Sequence, residues 1–469
     1  MKKTITLFFI GFASVFFMAD AYAQTVKIEG DFRSRFENRH GYKTIFPKDA
    51  QAANFISQRS RLKLSYAAEK YRFGFSIQNV GVWGENGQLT KSNFNGTMVH
   101  EAWGEILFSE KFSLKAGRQE IIYDDHRIFG SVDWTMQGRS HDAAIFKLKP
   151  NDKHKIDIGL AYNAMGESLY KQDYTKNYKA FQYVHWHGDF DALGVSFLFL
   201  NNGTTYMNPH DTISSPDGPI AKENIAYSQT FGPRVTYKKD KLKANAALYL
   251  QMGKRTSSLP TYPAKSTNTQ PDTVMNISAL YFEIDVSFAV TDNISVGAGV
   301  EYLSGNDEKA IYDSEKGQET EKAFAPLYGT NHKFNGWMDY FYVGKHFGSV
   351  GLMDIFIPIK YKKDKFSAAL IPRIFSTAGT LYDVDRDSDW NPIINDDGSS
   401  KMKEYGKGLG TEIDIVLGYS VTKGMAIKAG YSMMFASETM EVLKNTQVDA
   451  GNTWAWVMLV FKPTFYQSK

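Results

Sequence analysis

The sequence predicts an all-β chain: a single transmembrane antiparallel β-barrel of about 18 strands, with short periplasmic turns and long extracellular loops. Three observations predict it. Segments of roughly ten residues alternate apolar with polar side chains through the chain beyond residue 24. The connections between them switch strictly between short charged turns and long polar loops. Aromatic residues make up 14% of the chain, yet no apolar run after the N-terminus reaches the ~20 residues of a membrane helix.

The first 23 residues have the layout of a secretory signal peptide. Lys2 and Lys3 supply the positive end, Ile5 to Met18 is almost wholly apolar, and Ala21-Tyr22-Ala23 is a small-x-small cleavage site. A mature chain starting at Gln24 is expected. Cleavage removes two lysines and one aspartate, which takes the net charge from +3 to +2. That balance excludes a polybasic nucleic-acid binder. Cysteine is absent, so no disulfide framework stabilises the exported chain.

The short connections are Glu69-Lys70, Ser109-Glu110-Lys111, Pro150-Asn151-Asp152, Gly188-Asp189, Lys239-Asp240, Thr291-Asp292-Asn293, Lys363-Asp364 and Thr422-Lys423-Gly424. All carry tight-turn residues or charges. The long ones lie near 40–54, 83–96, 122–138, 164–179, 202–224, 254–274, 304–349, 377–408 and 437–450. Together they join 18 strands, an even number that puts both termini on the periplasmic side. Trp337 to His346 could read as a further strand, but an odd total would separate the termini, so it is assigned to the seventh loop. No linker divides residues 24–469, which are read as one domain.

The alternation assigns the two faces. From Val26 to Phe36 the even positions are apolar or small and the odd ones are mostly charged. Leu242, Ala244, Ala246, Leu248 and Leu250 oppose Lys243 and Asn245; Ile413, Ile415 and Leu417 oppose Glu412 and Asp414. A soluble β-sandwich would also alternate, but it closes within about 100 residues, and this pattern runs for over four times that.

With apolar residues on lipid, their neighbours line the lumen. The basic candidates are Arg33, Arg35, Arg59, Arg61 and Arg72 on the first three strands, with Arg234 and Arg373 from later ones. The acidic candidates are Glu101, Glu105, Glu283, Asp285, Glu301, Asp354, Glu412 and Asp414, mostly on the fourth strand and the far wall. Arginine suits carboxylate or phosphate because its planar fork donates two parallel hydrogen bonds. A ladder of such sites offers an anion successive weak stations. The same residues read equally as salt bridges that stiffen the wall, since several acids lie within two residues of an arginine.

Residues 117–148, GRQEIIYDDHRIFGSVDWTMQGRSHDAAIFKL, resemble the alginate-export family of outer-membrane barrels through Gly117-Arg118-Gln119, Arg127, Gly130, Trp134, Arg139 and Asp142. The segments 302–307, 327–332 and 351–354 and the opening Arg33-x-Arg35 also look like that family. The resemblance implies a monomeric barrel with an arginine-rich constriction passing an anionic polyuronate, with Arg118, Arg127, Arg139 and Asp142 at or near it. Ser140-His141 replaces the Arg-Phe pair expected before Asp142. Strict alternation from Phe112 would point Arg118 at lipid, so a β-bulge or the end of the membrane zone is expected there.

No catalytic or phosphate-binding motif stands out, and no cofactor is implied. An outer-membrane hydrolase would need an exposed Ser–His pair on the barrel wall, and none is identified. His185-x-His187 would need a third ligand to hold a metal. Asp383, Asp385, Asp387 and Asp389 resemble a calcium loop but lack its glycine and terminal glutamate, which leaves a weak calcium candidate beside a solvated acidic loop. A TonB-dependent receptor needs 22 strands and a plug, and a fatty-acid channel an apolar lumen. The expected partners are outer-membrane lipid and lipopolysaccharide, the barrel-assembly machinery and an anionic carbohydrate or small-anion cargo. The expected function is a passive outer-membrane channel with an arginine-rich, anion-selective lumen for an anionic polysaccharide such as a polyuronate or related organic anions; the alternatives are a general diffusion porin and a structural barrel acting through its seventh and eighth loops.

Overall fold

The fold is given by a computed structural model that describes residues 24–88, 96–174, 176–213, 220–256, 274–314, 318, 320–341, 349–448 and 451–468. The proposed signal peptide lies outside the described residues. Eighteen antiparallel strands run in an up-and-down meander: β1 Thr25–His40, β2 Ala53–Ala67, β3 Tyr71–Val82, β4 Thr97–Ser109, β5 Phe112–Gln119, β6 His141–Asn151, β7 His154–Tyr162, β8 Ala180–Phe190, β9 Leu193–Ile213, β10 Ile220–Lys239, β11 Leu242–Thr256, β12 Val274–Ala289, β13 Ile294–Leu303, β14 Leu352–Phe356 with Ile359–Lys363, β15 Phe366–Ser376, β16 Gly408–Thr422, β17 Met425–Ala436 and β18 Asn452–Phe461 with Thr464–Gln467. Proline, which cannot donate to a ladder, interrupts β14 at Pro358 and β18 at Pro463.

Closure is direct. β1 pairs with β2 along its length and with both segments of β18, Phe32 facing Phe461 and Lys27 facing Gln467. A closed sheet has no edge on which another chain can add.

Burial confirms the face assignment. On β1, Asp31, Arg33, Arg35 and Glu37 are buried while Phe36 is exposed. The exposed large apolar residues include Leu62, Phe73, Ile106, Leu160, Leu248, Ile284, Leu370 and Val457, each at an outward position. Trp337 to Phe341 lies in the seventh loop outside any strand, and 342–348 lie outside the described residues.

Two boundaries differ from expectation. The turn placed at Gly188-Asp189 sits at Asp191-Ala192, where Asp191 takes φ +55. Aspartate tolerates that left-handed conformation better than most residues. The fifth long connection is shorter than expected, because β9 and β10 stay paired as far as Ile220↔Ile213; residues 214–219 lie outside the described residues. Asn201 to Met207 carry little apolar contrast, so the period-two signal fades while the ladder continues.

The apolar core lies inside the barrel. Residues 120–140 and, from the seventh loop, residues 323–341 fold into the lumen. Ile128, Phe129, Phe324, Met338, Tyr340 and Phe341 pack against inward residues of the wall, among them Tyr183, Leu198, Tyr281, Phe375, Trp454 and Trp456. The two loops join through a parallel bridge between Phe129 and Tyr328 and a hydrogen bond from Gly130 N–H to Tyr328 O at 2.9 Å. Gly130 has no room for a Cβ, which would fall 2.3 Å from Thr330 Oγ1. The polar wall residues expected to line the lumen therefore do not line it alone: apolar residues from these loops fill part of the interior.

Candidate functional site

The basic wall is a product of register. Arg33 on β1 and Arg59 on β2 are direct cross-strand partners, and Asp31 faces Arg61. Like charges placed opposite one another destabilise a sheet, so this pair requires an anion between them. Asp31 supplies part of it, 2.7 Å from Arg59 Nη2. The rest comes from loop 120–140. Asp133 places one carboxylate oxygen 2.9 Å from Arg33 Nη2 and the other 2.8 Å from Arg59 Nη1.

The loop continues along the ladder. Arg35 donates to Trp134 O at 2.8 Å and stacks its guanidinium 4.2 Å from the Trp134 ring. Arg59 also donates to Met136 O, and Gln78 to Gln137 O at 2.8 Å. Arg61 donates to Gln78 Oε1 at 2.7 Å. The four ladder arginines are thus buried under loop residues rather than open to the lumen. Of the two expected readings, the geometry brings the wall-stiffening one forward. The side chain of Asp133 stays 41% exposed while that of Arg59 is 0% exposed. Burial would raise the Asp133 carboxyl, but Arg33 and Arg59 outweigh it and hold it well below the usual carboxylate range.

The far wall anchors the same loop and its partner. Arg127, which is fully buried, reaches Glu301 at 3.2 Å and Asn335 Oδ1 at 3.1 Å and lies over the Tyr281 and Phe334 rings. Arg234 pairs with Asp125 and with Glu283, the latter at 3.3 Å. Arg373 bonds to Asp354 and lies 3.8 Å from Asp414. Glu412 accepts from Met338 N–H at 3.0 Å, and Asp285 from Asn245 Nδ2 at 3.1 Å. Arg139 donates to Gly329 O at 3.2 Å, so it too ties the two loops together.

Glu101 and Glu105 face inward from β4. Glu101 accepts from Glu120 N–H at 3.3 Å. Buried Glu105 pairs with Arg72 at 3.5 Å and with Lys147 at 3.4 Å. Near the short-turn rim, inward-facing Lys243, Lys360 and Lys428 are exposed and Lys63 is half-buried. They supply positive charge that the loops do not cover.

Arg118 and Asp142 are a correction. They are direct partners across β5 and β6, 2.9 Å apart, on the outer face. Ser113 and Gln119 of β5 point inward and are buried, so alternation sends Arg118 out. The β5–β6 register runs unbroken from Phe112↔Leu148 to Gln119↔His141, so the expected bulge is absent there. Gly117 takes φ +124, and a Cβ on it would meet Ala102 O at 2.3 Å. The bulge in this region is on β4 instead, between Ser76↔Glu101 and Ile77↔Val99. It leaves His100 unpaired in the ladder, and the ring bonds to Glu120 at 2.9 Å.

A Ser–His pair does occur, on the inner face. His187 Nδ1 lies 2.8 Å from Ser196 Oγ, with Asp189 at 3.2 Å from Nε2. Ser196 gives its one proton to Asp124 at 2.6 Å, so His187 donates to the hydroxyl and cannot act as its base. His185 bonds to Asp124 at 3.1 Å. Among the described residues no group of three metal-ligating side chains converges. Asp385 pairs with Lys401 at 2.8 Å, Asp387 caps the backbone N–H of Asp389 and Asn391, and Asp383 that of Val384. All four aspartates of that series, Asp389 included, lie on the surface hairpin of the eighth loop.

The sequence reading did not single out Asp133, Asp125 or Asn335. Each acts through a partner at least 34 positions away, which local pattern does not reveal.

The barrel is similar to solved structures from Pseudomonas aeruginosa. OpdQ is 10% identical with a TM-score of 0.54, over 94% of this chain and 98% of that one. OccK8 (OprE) is 9% identical with a TM-score of 0.53, over 94% and 98%. OpdK, solved with vanillate, is 9% identical with a TM-score of 0.52, over 94% and 99%. At these identities the likeness concerns the fold. No protein-family model and no curated relative matches the chain, so the alginate-export resemblance gains no support.

Proposed function

We propose that this protein is a passive outer-membrane channel for small organic anions, chiefly carboxylates. The observation that carries the reading is the cross-strand pair Arg33–Arg59 at the height where loop 120–140 narrows the lumen. The exposed apolar band and closed sheet fit a bilayer. Lys63, Lys243, Lys360 and Lys428 draw anions toward the short-turn mouth, where low-dielectric walls focus the field. Small solutes are favoured over a polyuronate because donors of all four ladder arginines are engaged by loop or wall groups, which leaves no continuous open ladder for a polymer. OpdK, a barrel of similar fold, was solved with vanillate, an aromatic carboxylate.

Reversal potentials in planar bilayers under a potassium chloride gradient test the reading, repeated with acetate and with an oligouronate. Anion selectivity with a response to acetate and none to the oligouronate is expected. An unselective pore would leave a general diffusion channel, and a strong oligouronate block would restore the polysaccharide reading.

A further inference from the structure

The register of β1 and β2 puts two buried guanidiniums face to face, with Asp31 as the one wall carboxylate between them. Asp31 is shared further: Lys462 lies 3.8 Å from it. A second anion is therefore required, and the geometry shows where it sits. Asp133 lends one oxygen to each arginine, the bridging arrangement that a free carboxylate would adopt. Its side chain is nonetheless far more exposed than either arginine's, so the site is reached from the lumen through the position Asp133 holds.

The backbone behind it is strained. Val132 takes φ +51, a conformation a β-branched residue rarely adopts, and it is held by its N–H bond to Thr330 Oγ1 at 3.0 Å. That bond anchors the loop backbone independently of the Asp133 carboxylate.

We propose that Asp133 is a built-in occupant of an anion site formed by Arg33 and Arg59, and that a permeating carboxylate binds there by taking its place. This rests on the anion-channel reading above and adds the point of recognition. An internal competitor keeps the site weak, so solutes leave as readily as they enter.

The test uses the full-length barrel in planar bilayers with acetate as probe. The quantity read is the acetate concentration that halves the chloride current. Asp133→Ala is expected to lower it about tenfold, because two buried guanidiniums lose their partner and take acetate instead. Asp133→Glu, which keeps a carboxylate, is expected to behave as wild type. Unboiled gel migration verifies that each variant is folded, and Asp133→Asn replaces Asp133→Ala should the latter not assemble. Equal acetate sensitivity in wild type and the neutral variant overturns the proposal. A wild type without anion selectivity sinks the anion-channel reading instead, whereas acetate sensitivity that rises on loss of Asp133 supports the site in either case.

Discussion

Arg127 and Glu301 meet 3.2 Å apart in the interior of the barrel, one carried by an inward loop and the other by β13. Both are buried, so neither can exchange its partner for water. Removing one member of such a pair costs about 3–5 kcal/mol, since the other charge is stranded. Arg127→Ala is expected to undock loop 120–140 without unfolding the wall. Single-channel conductance should rise and become noisy, and protease should cut within 120–140. Unchanged conductance and an intact loop would mean that the contacts of Asp133 and Trp134 hold it alone.

The contact of Asp133 with the arginine pair sets a pH window. An unfolded aspartate titrates near 4, and the folded Asp133 lies well below that value despite its burial, because Arg33 and Arg59 oppose protonation. A depressed carboxyl contributes stability that is present above its unfolded value and is lost as pH falls through the folded one. The loop should therefore remain docked at pH about 4 and release only in stronger acid. Conductance recorded against pH checks this: the acid-dependent step should be present in wild type and missing in Asp133→Asn.

Outward Arg118 separates position from composition. Its pair with Asp142 is exposed, and such pairs contribute about 0–1 kcal/mol. Arg118→Ala should leave the reversal potential unchanged. Arg33→Ala, by contrast, removes a buried lumen charge and should move selectivity toward cations. Measuring both variants in the same salt gradient decides the matter; a shift with Arg118→Ala would place that side chain on the solute's path.

Ile284 and Asp285 are neighbours on β12 with opposite surroundings: Ile284 is exposed on the outer face, and Asp285 faces the lumen. Lysine on the lipid side costs up to about 2–4 kcal/mol near the midplane. Ile284→Lys should lower stability in lipid vesicles by that order, while Asp285→Asn should change it little. Guanidinium titration followed by tryptophan emission reads both.

The wall of this barrel was legible because its signal is local. A period of two in Val26 to Phe36 and in Leu242 to Met252 is enough to assign inward and outward residues, and the alternation of short and long connections yields 18 strands. That rule also held at Arg118, where the family motif pointed inward and the alternation did not. Legibility stops where the polar contrast fades, as between Asn201 and Met207. It stops again inside the lumen. Asp133 meets Arg33 across 100 positions and Arg127 meets Asn335 across 208. Those contacts are chosen by packing of the two loops against the wall and each other, and neither loop carries a periodic pattern that announces which way it folds.

The seam between β1 and β18 bears on the order of events during assembly. Val26 N–H bonds to Ser468 Oγ across 442 positions, and Gly30 N–H to Pro463 O. The opening strand thus waits, one flank unpaired, until β18 docks. Every intermediate before that moment is a sheet with two live edges, prone to recruit a neighbour. Because Phe32–His40 pair with Thr453–Phe461, the longer part of the latch lies upstream of Pro463: loss of Thr464–Gln467 would fray the seam at one rim, whereas loss of Asn452–Phe461 would leave the cylinder open.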